Sequence, residues 1–119
     1  MTTIRPLELL HMDLFGPQNY ASFWGNKYGL VIVDDFSRFT WVFFLVDKTK
    51  VVEIFKSFAK RAQNEYDLNM KHVHSDNGTE FKNTHIEEFL DENGITHEFS
   101  AAYTPQQNGV VERKNRTLI

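Results

Sequence analysis

Three carboxylates stand where this sequence could do chemistry: Asp13, Asp76 and Glu112. Asp13 lies in the apolar run "LELLHMDLF" (7–15), Asp76 directly follows "MKHVHS" (70–75), and Glu112 comes early in "VVERKNRTLI" (110–119). Acids gathered in one place repel one another and raise each other's pKa unless a cation sits among them. A hard ion such as Mg²⁺ suits such a group, because it prefers carboxylate oxygen, water and phosphate to nitrogen or sulfur. Asp76 draws most notice. In "HSDNGTEF" (74–81) it sits beside Asn77-Gly78, a strong turn signal, so the backbone bends where the acid stands. The spacing alone says little. Thirty-five residues separate Asp76 from Glu112, and seven Asp with nine Glu would give about 0.4 Asp-to-Glu pairs at that separation by chance.

The elements that must position these acids follow from periodicity. "LELLHMDLF" reads as a strand ending at Gly16-Pro17, and a polar turn "NYASFWGNK" comes next. "YGLVIVDDF" is a nearly continuous β-branched run, as expected of a strand buried on both faces. A turn at "SR" leads into "FTWVFFLV", an antiparallel partner. From Asp47, a candidate N-cap, the period becomes helical: Val51, Phe55, Phe58, Ala62 and Tyr66 share a face, with Lys56, Lys60 and Gln63 elsewhere on the surface. "MKHVHS" is a further strand, "NTHIEEFLDENG" a short helix with Ile86, Phe89 and Leu90 inward and Gly94 as its stop, and "ITHEFS" a brief strand. "AAYTPQQNG" reads as loop and "VVERKNRTLI" as the start of a helix. The order β-β-β-α-β-α-β-α predicts an α/β fold, a mixed sheet with helices packed on it.

Composition narrows the classes. The 119 residues make one domain, and 41% apolar with 14% aromatic content is ample for a packed core, which argues against disorder. With no cysteine, disulfides and thiolate zinc sites are excluded. No apolar run reaches the roughly 18–20 residues that cross a membrane, and the N-terminus lacks the pattern of a signal peptide. A net charge of −3 argues against a wholly basic nucleic-acid binder, although Arg113, Lys114 and Arg116 make a small basic stretch near the C-terminus.

The strings around the three acids carry more than their spacing. "HMDLFGP", "VHSDNGTEF" and "AYTPQQNGVVERKNR" resemble the catalytic core of retroviral-type integrases. "DDFSR" with "TWVFFL", and above all "YTPQQNGVVERKNRT", resemble the integrase of copia-type LTR retrotransposons. The resemblance runs over essentially the whole chain and includes the D,D-35-E pattern in order. It implies an RNase H-like fold: a five-stranded mixed sheet flanked by helices, here C-terminally truncated, in a single domain that is a fragment of a larger polyprotein.

It also implies DNA integration, by metal-dependent 3′-end processing and strand transfer of element DNA into target DNA. Asp13, Asp76 and Glu112 would be the catalytic and metal-binding acids, holding two Mg²⁺ (or Mn²⁺) ions roughly 3.5–4 Å apart. Asn115 and Arg116, at i+3 and i+4 from Glu112, would share its helix face and contact DNA, with Lys114, Gln107 and Asn108 as further DNA-binding candidates. The implied partners are DNA and, in the full-length protein, further copies of the chain. Work in the nucleus would follow a stage in a cytoplasmic particle or the cytosol. No membrane is implied, and this stretch carries no targeting signal.

Competing readings attach to the same residues. The acids could be surface charges or turn caps. The domain could be an RNase H-like nuclease that cuts without joining, an inactive nucleic-acid-binding remnant, or purely structural. Asp34-Asp35 could be mistaken for a metal pair, but "DDFSR" also makes a good hairpin turn with an ion pair to Arg38. His72 and His74 share a strand face, and packing or hydrogen bonding is the expected role for both.

Overall fold

A computed structural model describes residues 2–19, 26–76, 78 and 80–100. Its centre is a five-stranded sheet of β1 (Leu9–Asn19), β2 (Asn26–Asp34), β3 (Thr40–Leu45), β4 (His72–Ser75) and β5 (Thr96–Phe99) in the order β3-β2-β1-β4-β5. β1, β2 and β3 pair antiparallel, while β4 joins β1, and β5 joins β4, in parallel. The sheet is therefore mixed, as the element order predicts. Helices α1 (Val51–Tyr66) and α2 (Thr84–Glu92) fill the two connections that parallel pairing requires.

Alternation along the strands divides the sheet into two faces. Leu10 and Met12 of β1, Leu30 and Ile32 of β2, and Val73 of β4 are buried against Val51, Phe55, Phe58, Ala59 and Ala62 of α1 and Ile86, Phe89 and Leu90 of α2. Edge-on aromatic contacts tie this layer together, with Phe58 meeting Trp41 at 4.9 Å between centroids and Phe55 meeting Phe89 at 5.8 Å. On the opposite face, Val42 and Phe44 of β3 are exposed.

Local signals fix the element ends. Asp47 accepts a hydrogen bond from the Thr49 N–H and caps a 3₁₀ turn (Lys48–Lys50) that feeds α1. Asn83 caps α2 through the Ile86 N–H, and Gly94, at φ 69°, ends that helix. Two placements differ from the sequence reading. Tyr66, expected on the inward stripe of α1, is exposed at its last turn, and Gln63 accepts the Met70 N–H at 2.8 Å rather than lying idle on the surface.

β1 also does not stop at Gly16-Pro17. It resumes pairing at Gln18↔Lys27 after Phe15↔Gly29, so two residues of β1 oppose one of β2. Such a bulge accommodates a proline that has no N–H for the ladder, and Gly16 takes the positive φ of 118°. The final loop and helix expected after Ser100 lie outside the described residues.

Candidate functional site

β4 pairs with β1 over only three positions, Leu9↔His72, Leu10↔Val73 and His11↔His74. Two residues further along each parallel strand stand Asp13 and Asp76, both exposed and both beyond the last paired position. Parallel register thus brings together two acids that lie 63 positions apart in the chain. Antiparallel pairing would have sent them to opposite edges.

The electrostatics mark them as a pair. The Asp13 carboxyl is held above its ordinary value of 3.8, first by desolvation and then by the negative charge of Asp76, with Glu80 adding to it. The Leu14 backbone N–H pulls the other way without prevailing. Asp13 still reaches solvent, so this desolvation is that of a group ringed by protein at the surface rather than of a core residue.

Asp76 is fixed from its C-terminal side, where its Oδ1 accepts the Gly78 N–H at 2.8 Å. A Cβ at Gly78 would press on the ends of two flexible side chains, Glu80 Oε1 at 2.5 Å and Asp76 Oδ1 at 2.9 Å. The Gly78 carbonyl then receives the N–H groups of Phe81 and Lys82, closing the turn that "DNGTEF" predicts.

The decoy pair behaves as a turn should. Asp34 is buried, and its carboxyl accepts the Leu7 N–H at 2.9 Å, the Ser37 N–H at 2.9 Å and the Ser37 hydroxyl at 2.6 Å. Asp35 does meet Arg38, at 3.7 Å, but its nearer partners are His11 Nε2 at 2.8 Å and the Thr3 hydroxyl at 2.9 Å. His72 sits 3.6 Å from Glu98, and His74 Nδ1 lies 3.4 Å from His11 Nδ1, so both histidines serve packing and polar contact.

His11 escapes a reading that looks only for acids. The signal was present, however, because "HMD" (11–13) and "HSD" (74–76) repeat one His-x-Asp spacing on two strands that pair. Ser75 and His97 were missed too. The Ser75 hydroxyl lies 2.7 Å from His97 Nε2 and donates to the Asp76 carbonyl. Burial pushes the His97 imidazole below its usual 6.5, with Glu87 opposing.

The donor set decides what the pair could hold. Two exposed carboxylates with a third negative charge near them form a hard oxygen donor set, which fits a divalent ion such as Mg²⁺. Among the described residues no three or more ligating side chains converge. Glu112 lies outside the described residues, as do Gln107, Asn108, Lys114, Asn115 and Arg116.

Comparison with known proteins bears on the same stretch. The family model described as "Integrase core domain" matches residues 4–105, a span that includes Asp13 and Asp76. The retrovirus-related Pol polyprotein from transposon TNT 1-94 of Nicotiana tabacum is 40% identical over 113 residues, covering 95% of this chain and 8% of that protein. The corresponding polyprotein from transposon RE1 of Arabidopsis thaliana is 33% identical over 119 residues, all of this chain and again 8% of the relative. This chain therefore spans a small part of the polyproteins it matches.

Among solved structures, the catalytic core domain of BIV integrase superposes with a TM-score of 0.58 at 27% identity, covering 92% of this chain and 65% of that one. The HTLV-2 integrase catalytic core domain in complex with magnesium (trimeric form) superposes at 0.63 with 24% identity, over the same shares. The sheet has the RNase H-like fold of these cores, and the chain belongs to the integrase core domain family.

Proposed function

We propose that this chain is the catalytic core of a copia-type retrotransposon integrase, which joins the 3′ ends of element DNA to target DNA by metal-dependent polynucleotidyl transfer. The observation that carries the reading is the convergence of Asp13, within β1, and Asp76, just past β4. Each stands two residues beyond the last registered pair of these parallel strands, where burial and then the charge of Asp76 lift the Asp13 pKa. A hard divalent ion is the natural neutraliser of such a pair. Magnesium in the HTLV-2 integrase core supports the same choice.

Asp13, Asp76 and Glu112 would hold two Mg²⁺ or Mn²⁺ ions. When bound, these would stabilise the attacking and leaving oxygens of an in-line displacement at phosphorus. The chain's own contribution is placement. β1 presents Asp13 with a carboxyl already short of compensating charge. The turn at Gly78 holds Asp76 by one oxygen. Asn115, Arg116, Lys114, Gln107 and Asn108 would bind DNA phosphate and base edges, orienting the end to be joined. DNA and further copies of the chain are the proposed partners, and the nucleus the place of action. Among the described residues no helix is long and apolar enough to cross a membrane.

The test is an oligonucleotide joining assay with the purified chain in Mg²⁺ or Mn²⁺. Joined product is expected, and Asp13→Asn, Asp76→Asn or Glu112→Gln each lowers it by on the order of 10³-fold. Cleavage without joining would replace the reading with that of a nuclease. DNA binding without metal-dependent chemistry would replace it with that of an inactive remnant.

A further inference from the structure

The His-x-Asp repeat has a structural consequence beyond the acids. His11 and His74 form the last registered pair between β1 and β4, and their rings meet edge-on at 5.4 Å between centroids. On the far side, His11 Nε2 lies 2.8 Å from Asp35 Oδ1. The carboxylate can only accept, so His11 donates from Nε2. In the neutral ring that leaves Nδ1 as the acceptor toward His74 Nδ1, 3.4 Å away. Asp35 is itself held by the Thr3 hydroxyl at 2.9 Å and by Arg38 at 3.7 Å. A continuous polar chain thus runs from the β2–β3 turn through β1 to β4.

That chain lies two residues below each candidate metal ligand. Beyond His11 and His74 no registered pairing joins β1 to β4, while Asp76 and Asp13 carry charges that push them apart. A crosspiece at the last shared position is where such splaying would be resisted.

We infer that the Asp35–His11–His74 chain positions Asp13 relative to Asp76, and that by fixing their separation it favours Mg²⁺ over larger divalent ions. His11 and His74 are positioning residues in this assignment, not ligands. Mg²⁺ requires near-octahedral oxygen at about 2.0–2.1 Å, whereas Ca²⁺ accepts irregular sets at about 2.3–2.6 Å. Loosening the crosspiece therefore costs the smaller ion more. The inference rests on the proposal that Asp13 and Asp76 bind metal.

Calorimetric titration of Mg²⁺ and, separately, Ca²⁺ into wild-type, His11→Phe, His11→Asn and Asp76→Asn chains tests it, with the metal-free Tm of each measured alongside. Phe keeps the ring and removes both nitrogens, while Asn can restore a polar atom near the Nδ1 position. His11→Phe is expected to weaken Mg²⁺ binding about tenfold and Ca²⁺ binding by no more than about twofold, with His11→Asn recovering part of the Mg²⁺ loss. Should His11→Phe fail to fold, His74→Gln carries the same expectation from the other strand.

Equal weakening of both ions, or Mg²⁺ affinity unchanged in the histidine variants while Asp76→Asn abolishes it, overturns the positioning role and leaves the metal site standing. Absence of Mg²⁺ binding to the wild-type chain, or binding that Asp76→Asn does not alter, overturns the metal site and the positioning role together.

Discussion

Two pairs of aspartates sit on the same sheet and have opposite surroundings. Asp34 and Asp35, adjacent in sequence, stand at the last residue of β2 and the first of the turn after it. Both are met by donors: three for the Asp34 carboxyl, and His11, Thr3 and Arg38 around Asp35. Asp13 and Asp76, distant in sequence, end up near each other with Glu80 adding a further negative charge. A carboxylate surrounded by donors serves the fold. One that faces another carboxylate costs the fold some stability while both are charged, a cost that protonation or a bound cation relieves. Proximity in sequence points to the wrong pair, and compensation distinguishes them.

The largest effect expected from breaking this contrast is at Asp34. Asp34→Ala strips partners from the Leu7 and Ser37 N–H groups, and Leu7 is fully buried with φ 65°. Urea unfolding should show a loss of about 3 kcal/mol, the scale of a buried polar network left unsatisfied. The same change in Asp13 or Asp76 should move metal-free stability by no more than about 0.5 kcal/mol, as for a surface site.

The pH dependence should separate the pairs by sign. Burial works against the Asp35 charge, but the hydrogen bonds from His11 and Thr3 and the positive charges nearby hold its carboxyl below 3.8. Its contribution to stability is therefore present above pH 3.8 and is lost as pH falls through the depressed folded value. Asp13 is raised, so the folded chain keeps that proton more readily than the unfolded chain. Stability falls as pH rises from 3.8 through the raised value. Thermal unfolding from pH 3 to 7 should show Asp35→Asn losing its deficit relative to wild type as the medium becomes more acid. Asp13→Asn should instead gain on wild type as pH rises above 3.8. Parallel curves for the two variants would remove the distinction drawn between the pairs.

Most of the fold was legible because its signals are local. β-branched runs, the helical stripe of Val51, Phe55, Phe58 and Ala62, the cap at Asp47 and the stop at Gly94 each act within a few residues. The continuation of β1 past Pro17 was not, because a bulge is decided by the partner strand and leaves only a Gly-Pro pair that also reads as a stop. At the site, the turn after Asp76 could be read from Asn77-Gly78, while the His11–His74 contact depends on which strands pair and in which direction. The duplicated His-x-Asp spacing carried that information, but only parallel pairing of β1 with β4 gives it meaning.

The smallest expected effect is also the sharpest test of how closely Asp76 is held. In Gly78→Ala the added Cβ meets the ends of two flexible side chains, Glu80 Oε1 at 2.5 Å and Asp76 Oδ1 at 2.9 Å, and no positive φ is imposed on the new residue. Glu80 can swing away at little cost. Asp76 is less free, because the N–H of residue 78 itself holds that oxygen at 2.8 Å. Unfolding free energy should therefore stay within about 0.5 kcal/mol of wild type. Mg²⁺ affinity should fall several-fold, because misplacement of a ligand oxygen is felt by an ion that demands regular geometry. If stability falls while Mg²⁺ binding holds, the glycine serves the turn alone. A fall in binding without a fall in stability means that the turn after β4 is shaped around the carboxylate it carries.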